Sequence, residues 1–466
     1  MAAEDAGAIS REGVPDRRYF RTPATAPGPA GPQMLGWLRA IRTDPLGFLQ
    51  RMTRDFGPVV QFPIPSPPSY LVADPQAVRR VLVERARHYD KATVQYRSLS
   101  LVTGEGLLTT SGDVWRRQRR MVQPAFHRAS LEAVVGHAAA ATDDLVARWG
   151  DISRGAVVDI DEAMMRVALE TVAASLFGTD LSADADRLAR ATLEALDVVV
   201  SSAQVPIRLP AWTPSQRTLR RATRELDESV HAMVSRRRAE DEPRADLLGL
   251  LVAALEADEP IPVREVRDEL VSFMVAGHET AASAMTWALW LLAGDPAAQE
   301  RAITEVREVL GERAVSVEDL PRLPYLRAVI DESMRLYPPV WLVTRRAMEP
   351  DVLGGREIPE GALVIMTPYL AQRDGTAWPD PERFDPDRFL GERRGGAADD
   401  ADYWPFGLGP RMCVGKDFAY LETIAVLASL LQRVRVSRVP GQPDPRAVPL
   451  VTLRPADALP LVVRSL

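Results

Sequence analysis

The stretch FGLGPRMCVG, Phe406 to Gly415, holds the only cysteine of a 466-residue chain. Glycines stand at 407, 409 and 415, and Arg411 lies two positions before the thiol. Glycine lets a backbone bend tightly and approach a flat partner closely. From Gly415 onward, KDFAYLETIAVLASLLQRV has the apolar spacing of a helix, which places Cys413 at or just before a helix N-terminus. Free amides and the helix dipole are expected to lower its pKa there and favour the thiolate. A thiolate held in this way is a nucleophile or a metal ligand.

Composition sets the frame around that thiol. Hydrophobic residues make up 46% and charged residues 26%, the proportions of a folded globular protein with a large core. A net charge of −7 argues against a surface built for a phosphate backbone, so nucleic acid is excluded as a partner. One cysteine forms no internal disulfide, and the N-terminus has neither a signal peptide's apolar run nor a membrane anchor; a cytoplasmic protein is expected. Of the 57 basic residues only Lys91 and Lys416 are lysines, a skew that points to a GC-rich genome.

Residues 1–31 are expected to form a flexible arm and 32–466 a single large domain, since neither an internal repeat nor a linker divides the chain. After the arm, the pattern predicts a helix, two short strands around the turn at Pro63 to Pro68, and another helix. From about Asp113 to Leu310 the periodicity is helical. The segments from Val198 to Gln216 and from Ser235 to Asp246 carry the Pro and charge of loops. Beyond Pro338 short β-type runs take over. The fold class is therefore mainly α with a small β component. Leu270 to Gly294 is long and apolar, but His278 and Glu279 near its middle favour a helix through a soluble core over a membrane span.

The histidines His88, His127, His137, His231 and His278 sit in no catalytic-cysteine signature, and zinc needs more Cys and His than are present. A single thiolate points instead to haem iron. Phe406, Gly409, Arg411, Cys413 and Gly415 match F-x-x-G-x-R-x-C-x-G, and on that segment the chain resembles the cytochrome P450 superfamily. Three further motifs follow in the family's order, and the resemblance runs from about Pro32 to the end.

Ala276-Gly277-His278-Glu279-Thr280 looks like the oxygen-activation motif of the family's long central helix. The resemblance implies that Ala276 and Gly277 leave room for the haem and O2, that Thr280 bonds the distal oxygen, and that Glu279 relays protons. Taken without Cys413, the same residues fit a threonine bonded to its own helix beside a solvated Glu–His pair. Glu332-x-x-Arg335, with the later Pro381-Glu382-Arg383-Phe384, implies a structural ion-pair network of Glu332, Arg335 and Arg383. Trp115-x-x-x-Arg119, Arg345 and Arg411 match propionate contacts; Arg346, next to Arg345, competes for that place. Where many relatives have His-Arg-Asp, the chain has Gln372-Arg373-Asp374, which leaves one contact unassigned.

By resemblance, then, the chain is a haem-thiolate monooxygenase with Cys413 as ligand to haem b, iron protoporphyrin IX. It inserts one oxygen atom of O2 into a C–H or C=C bond of a hydrophobic terpenoid, fatty acyl or polyketide-type molecule of secondary metabolism. Trp115, Arg119, Ala276, Gly277, Arg345, Phe406, Arg411 and Gly415 would hold the cofactor, and Thr280 and Glu279 would be catalytic. Electrons would come from a separate ferredoxin and its reductase, met by Arg116, Arg117 and Arg120, and the protein would be a monomer. The substrate pocket would be lined by Ala92 to Thr110, Val198 to Trp212, the helix near Ala276, Val340 to Val343 and a strand pair near Val451. Tyr96, Ser202 and Thr344 would be its polar handles. A peroxygenase or isomerase needing no redox partner, and a non-catalytic haem sensor, are the alternatives.

Overall fold

A computed structural model gives the fold and describes residues 18–19, 22–63, 67–178, 187, 190–192, 194–196, 198, 213–240, 244, 246–391 and 401–466. Helices dominate it, with short strands between them, as the sequence predicts. The helices used below are α1 (Pro45–Phe56), α2 (Val94–Thr103), α3 (Gly112–Val122), α4 (Ile160–Phe177), α5 (Pro214–Arg238), α6 (Val263–Gly294), α7 (Pro324–Leu336) and α8 (Lys416–Leu431). The strands are β1 (Val59–Phe62), β2 (Ser69–Val72), β3 (Tyr89–Asp90), β4 (Ala156–Asp159), β5 (Val343–Ala347), β6 (Leu363–Met366), β7 (Val434–Arg438), β8 (Ala447–Pro449), β9 (Leu453–Pro455) and β10 (Pro460–Ser465). The chain divides into two compact units, one of residues 1–97, 340–383 and 396–412, the other of residues 98–339, 384–395 and 413–466.

The first unit is organised by a five-stranded sheet in the order β1-β2-β6-β5-β3. Only the β2–β6 pair is parallel. Asp44 caps α1 by accepting from the Gly47 amide, and Pro45 occupies a first-turn position where its missing N–H leaves no bond unmade. Val60, Phe62 and Leu71 then pack with Phe48, Leu49 and Met52 of α1. Val59, Tyr70 and Val72 point the other way, into a cluster with Trp404 and Leu408. Because both faces are covered, β1 is buried at all four positions, including Gln61. Its amide is not stranded: Oε1 accepts from the Thr25 N–H at 2.8 Å.

The second unit is built around α6, whose 32 residues extend about 48 Å. It packs along α4, α7 and α8, and nearly every residue from Val266 to Ala293 is buried. Among the described residues no helix is long and apolar enough to cross a membrane. Trp287 stacks on Tyr337 with ring centres 3.9 Å apart and donates through its indole N–H to the Leu453 carbonyl at 2.8 Å. On α7, Arg335 and Glu332 form an ion pair at 2.6 Å with neither side chain exposed. The Asp385 amide and Arg388, the latter at 3.5 Å, complete the surroundings of the Glu332 carboxylate. Arg388 belongs to no motif in the sequence; the part expected of Arg383 rests on the resemblance alone.

Helices dominate the region from Asp113 to Leu310 as expected, with one strand that the periodicity did not announce: β4 interrupts it and pairs antiparallel with β10. Its signal is weak because Val157 faces solvent at 65% exposure and the strand is four residues long. The predicted loops are also shorter than their sequence suggested. Helix α5 starts at Pro214 and runs through Arg238, since proline suits a first turn and arginine is a good helix former.

Three consecutive side chains of α6 stitch down the turn between α2 and α3. Arg267 donates to the Val102 carbonyl at 2.7 Å, Asp268 accepts from the Glu105 amide at 2.8 Å, and both oxygens of Glu269 accept from the Leu107 amide at 3.1 Å. Gly104, at φ +65°, and Gly106 permit the contact, because a Cβ at either would strike Asp268 or Ser272. Burial pushes the Glu269 carboxyl up to about 8, with the Leu107 N–H pulling it down and Glu265 and Asp268 pushing it further up.

Between the ordinary 4.5 and about 8 the folded protein therefore holds a proton that the unfolded chain releases. This contribution to stability is full at low pH and is lost as the pH climbs through that window. Denaturation of Glu269→Gln beside the parent at several pH values should show the variant's advantage growing up to about pH 8 and then levelling. A constant difference would place the Glu269 pKa in the normal range. Removing the cation of the buried pair, Arg335→Ala, should cost about 3–5 kcal/mol in the same assay.

Candidate active site

Cys413 stands three residues before α8, behind a turn that glycine makes possible. Gly407 and Gly409 have φ of +75° and +68°, and a Cβ on Gly409 would lie 2.2 Å from the Leu82 carbonyl oxygen. Gly415 caps α8, with the Phe126 ring 3.5 Å from where its Cβ would be. Cys413 itself is exposed. Its pKa corrects the expectation from the helix N-terminus. Burial pushes the thiol up, outweighing the opposite pull of the Gly415 amide, Arg119 and Lys416. A coordinated metal ion, not the helix, is what would hold it deprotonated.

On α6 a window breaks the buried surface. Ala276 is exposed, and Gly277 and Thr280 are half-exposed, between fully buried runs on either side. Gly277 also has a packing role toward α4. Its missing side chain makes room for Val172 of α4, whose Cγ2 would sit 3.1 Å from a Cβ there. Thr280 donates its hydroxyl to the Ala276 carbonyl at 2.6 Å, the local helix bond weighed from sequence, which leaves its lone pairs on the open side. Glu279 points elsewhere: it is buried, accepts from the Thr452 hydroxyl at 3.2 Å, and borders a cleft of about 540 Å³ with Asp161, Glu162 and Arg454. His278 donates from Nε2 to the Met165 carbonyl at 2.9 Å, and burial lowers it to about 4; it is a satisfied core residue.

Trp115 and Arg119 are half-buried one turn apart on α3. Arg119 is close enough to Cys413 for each to shift the other's protonation, and burial lowers the pKa of the guanidinium. In the first unit Lys91, Arg345 and Arg411 form a set. Burial pulls Lys91 well below its usual value, and the two arginines add to that; burial and Arg345 bring Arg411 down to about 10. Tyr96 joins them, its ring 4.6 Å from the Lys91 ammonium and its hydroxyl 3.4 Å from Arg345. Arg346 instead pairs with Asp90. Phe406 is half-buried in the turn before the cysteine.

Sequence alone did not single out Lys91 or Thr452. Lys91 carried one faint signal, a lysine where the chain otherwise uses arginine. Thr344 proves to be no free handle, since it is buried and its hydroxyl bonds that of Thr93 at 2.9 Å. Ser202, with most of Val198 to Trp212, lies outside the described residues. Gln372 plays a structural part, being buried and accepting from the Trp404 amide at 3.1 Å. The strand pair near Val451 is present as β8 and β9.

These features fit a haem. In the second unit an exposed thiol suits its iron and a bare strip of helix suits a flat ring; in the first, a group of cations suits its propionates.

A sequence model described as Cytochrome P450 matches residues 26–459. The chain is 35% identical over 439 residues to cyclooctat-9-en-7-ol 5-monooxygenase of Streptomyces melanosporofaciens, covering 93% of each protein. It is 33% identical to pentalenene oxygenase of Streptomyces avermitilis, covering 92% of the chain and 94% of that relative. Among solved structures, CYP175A1 from Thermus thermophilus is similar with a TM-score of 0.77 and 32% identity, over 94% of the chain and 99% of that structure. The heme domain of cytochrome P450DA is similar with a TM-score of 0.84 and 26% identity, over 95% and 97%.

The two neighbouring arginines of β5 are predicted to behave differently. Arg345→Ala should lower the haem retained per chain after gel filtration, while Arg346→Ala should leave it near the parent value. Equal retention in both would remove Arg345 from the cofactor-binding set.

Proposed function

The chain belongs to the cytochrome P450 family of haem monooxygenases, and from that premise we propose that it oxygenates a terpenoid-type hydrocarbon skeleton. The observation that carries this reading is the full-length similarity to two Streptomyces enzymes named for cyclooctat-9-en-7-ol and pentalenene. Bound haem supplies the activation of O2. The protein's own share is to hold that group, position the substrate, exclude water and deliver protons.

In this reading Cys413 ligates the iron, and Trp115, Arg119, Arg345 and Arg411 engage the propionates. Ala276, Gly277, Phe406 and Gly415 lie against the ring. The lone pairs of Thr280 Oγ1 accept a hydrogen bond on the open face of α6, and breaking its bond to Ala276 frees the proton for donation. Glu279, buried beside a polar cleft and held by Thr452, stores and passes on a proton. A small acidic iron–sulfur protein of the ferredoxin type, reduced by its own reductase, suits the basic surface of α3 as electron donor. Arg116 and Arg117 there are already paired with Asp113 and Glu265, so Arg120 is the freest of the three.

The test uses the purified holoenzyme, a panel of terpene hydrocarbons and terpene alcohols, and a ferredoxin with its reductase. Expected are a thiolate-type spectrum of the ferrous carbonyl, displacement of iron-bound water by panel members, and a product heavier by one oxygen. Panel members that neither shift the spectrum nor react, while a fatty acid or polyketide does both, would move the substrate elsewhere. Thr280→Ala should keep the spectra but lower product per O2 consumed by on the order of tenfold or more; unchanged coupling takes Thr280 out of the proton route.

A further inference from the structure

Helix α5 carries arginines at 217, 220, 221 and 224, a spacing that puts all four on one face over two turns. All four are exposed. The opposite face is Ala222, Leu226, Val230 and Met233, fully buried, so the orientation of the helix is fixed. Arg221 pairs with Glu194 and lies 3.8 Å from Glu225. Arg217, Arg220 and Arg224 have no acidic partner among the described residues.

Helix physics opposes this arrangement. Like charges three and four apart repel by about 0.2–0.5 kcal/mol per pair, and cations near a helix N-terminus oppose its dipole. Only Arg221 is compensated locally, and a local rule broken at the other three is what a binding surface looks like. Arginine is common in this chain, yet its other prominent clusters are paired or buried: Arg116 with Asp113, Arg117 with Glu265, Arg237 with Asp246.

We propose that this arginine face docks the protein on an anionic lipid surface. The choice of lipid over an acidic protein rests on what the face lacks. Stable protein interfaces are anchored by aromatic, methionine or other apolar side chains in a desolvated centre. None of the exposed large hydrophobic residues among the described residues lies on α5. A diffuse sheet of headgroups needs only spaced cations, and guanidinium groups bind phosphate oxygens well. On a chain of net charge −7 the stripe would orient the molecule, since the remainder is repelled. The proposal does not depend on the identity of the substrate, although a lipid surface is where hydrocarbon-like molecules accumulate.

Holoenzyme is sedimented with phosphatidylcholine vesicles, with and without a quarter of phosphatidylglycerol, at low and high salt. Three proteins are compared: the parent, Arg217→Gln/Arg220→Gln/Arg224→Gln, and Arg39→Gln/Arg87→Gln/Arg307→Gln, which removes the same charge from exposed sites elsewhere. Glutamine keeps helix propensity, and an unchanged melting curve and haem spectrum confirm folding. The parent should bind only the anionic vesicles, and less at high salt. The α5 variant should partition on the order of 100-fold more weakly, at roughly 1 kcal/mol for each lost cation, with the control near the parent. Equal loss in both variants, no loss in the α5 variant, or binding indifferent to phosphatidylglycerol would overturn the proposal. Retention on immobilised polyglutamate through the same arginines, with no vesicle binding, would also overturn it and assign the face to an acidic protein.

Discussion

A helix buried along almost its whole length must find a partner for every polar side chain it carries, and α6 meets that demand by recruiting its neighbours. Arg267, Asp268 and Glu269 take the backbone of the turn after α2. His278 takes the Met165 carbonyl of α4, Glu279 the Thr452 hydroxyl, and Ser283 and Trp287 share the Leu453 carbonyl. Unmade, each would cost about 1–3 kcal/mol of desolvation. Made, they fix the turn, α4 and the β8–β9 hairpin against one rigid rod. The residues 276 to 280 are thereby held by contacts on both sides of the motif, and the window at Ala276 is the one stretch where packing is absent by design of the sequence.

Much of this was legible beforehand because it rests on local spacing. The glycines around Cys413, the central helix and the strands β1 and β2 follow from residue type and period alone. What escaped depended on distant parts of the chain meeting. Lys91 lies far in sequence from Arg345 and Arg411, Thr452 far from Glu279, and β4 needs β10 before it is a strand. One local rule fails where burial decides. The helix N-terminus should have lowered the Cys413 pKa, but desolvation outweighs it.

Arginine serves three physical purposes in this protein, and burial separates them. At Arg335 the cation is fully enclosed with one carboxylate at 2.6 Å, and it fixes the core. Arg345 is buried and Arg411 half-buried beside other cations, and burial with the Arg345 charge lowers the Arg411 pKa against the opposing pull of Tyr96 and Asp90. On α5 the charges stand in water, where screening makes each weak and only their number matters.

Glu279 and Thr280 are adjacent in sequence but do not share a face. Successive helical residues are rotated by about 100°, so when Thr280 lies in the window beside Ala276, Glu279 is turned into the packed side, where Thr452 and the polar cleft meet it. An acid two positions further along α6 would face away from both. The bond from Thr280 to Ala276 commits the hydroxyl proton to the helix, whereas the Glu279 carboxylate accepts from a side chain outside it.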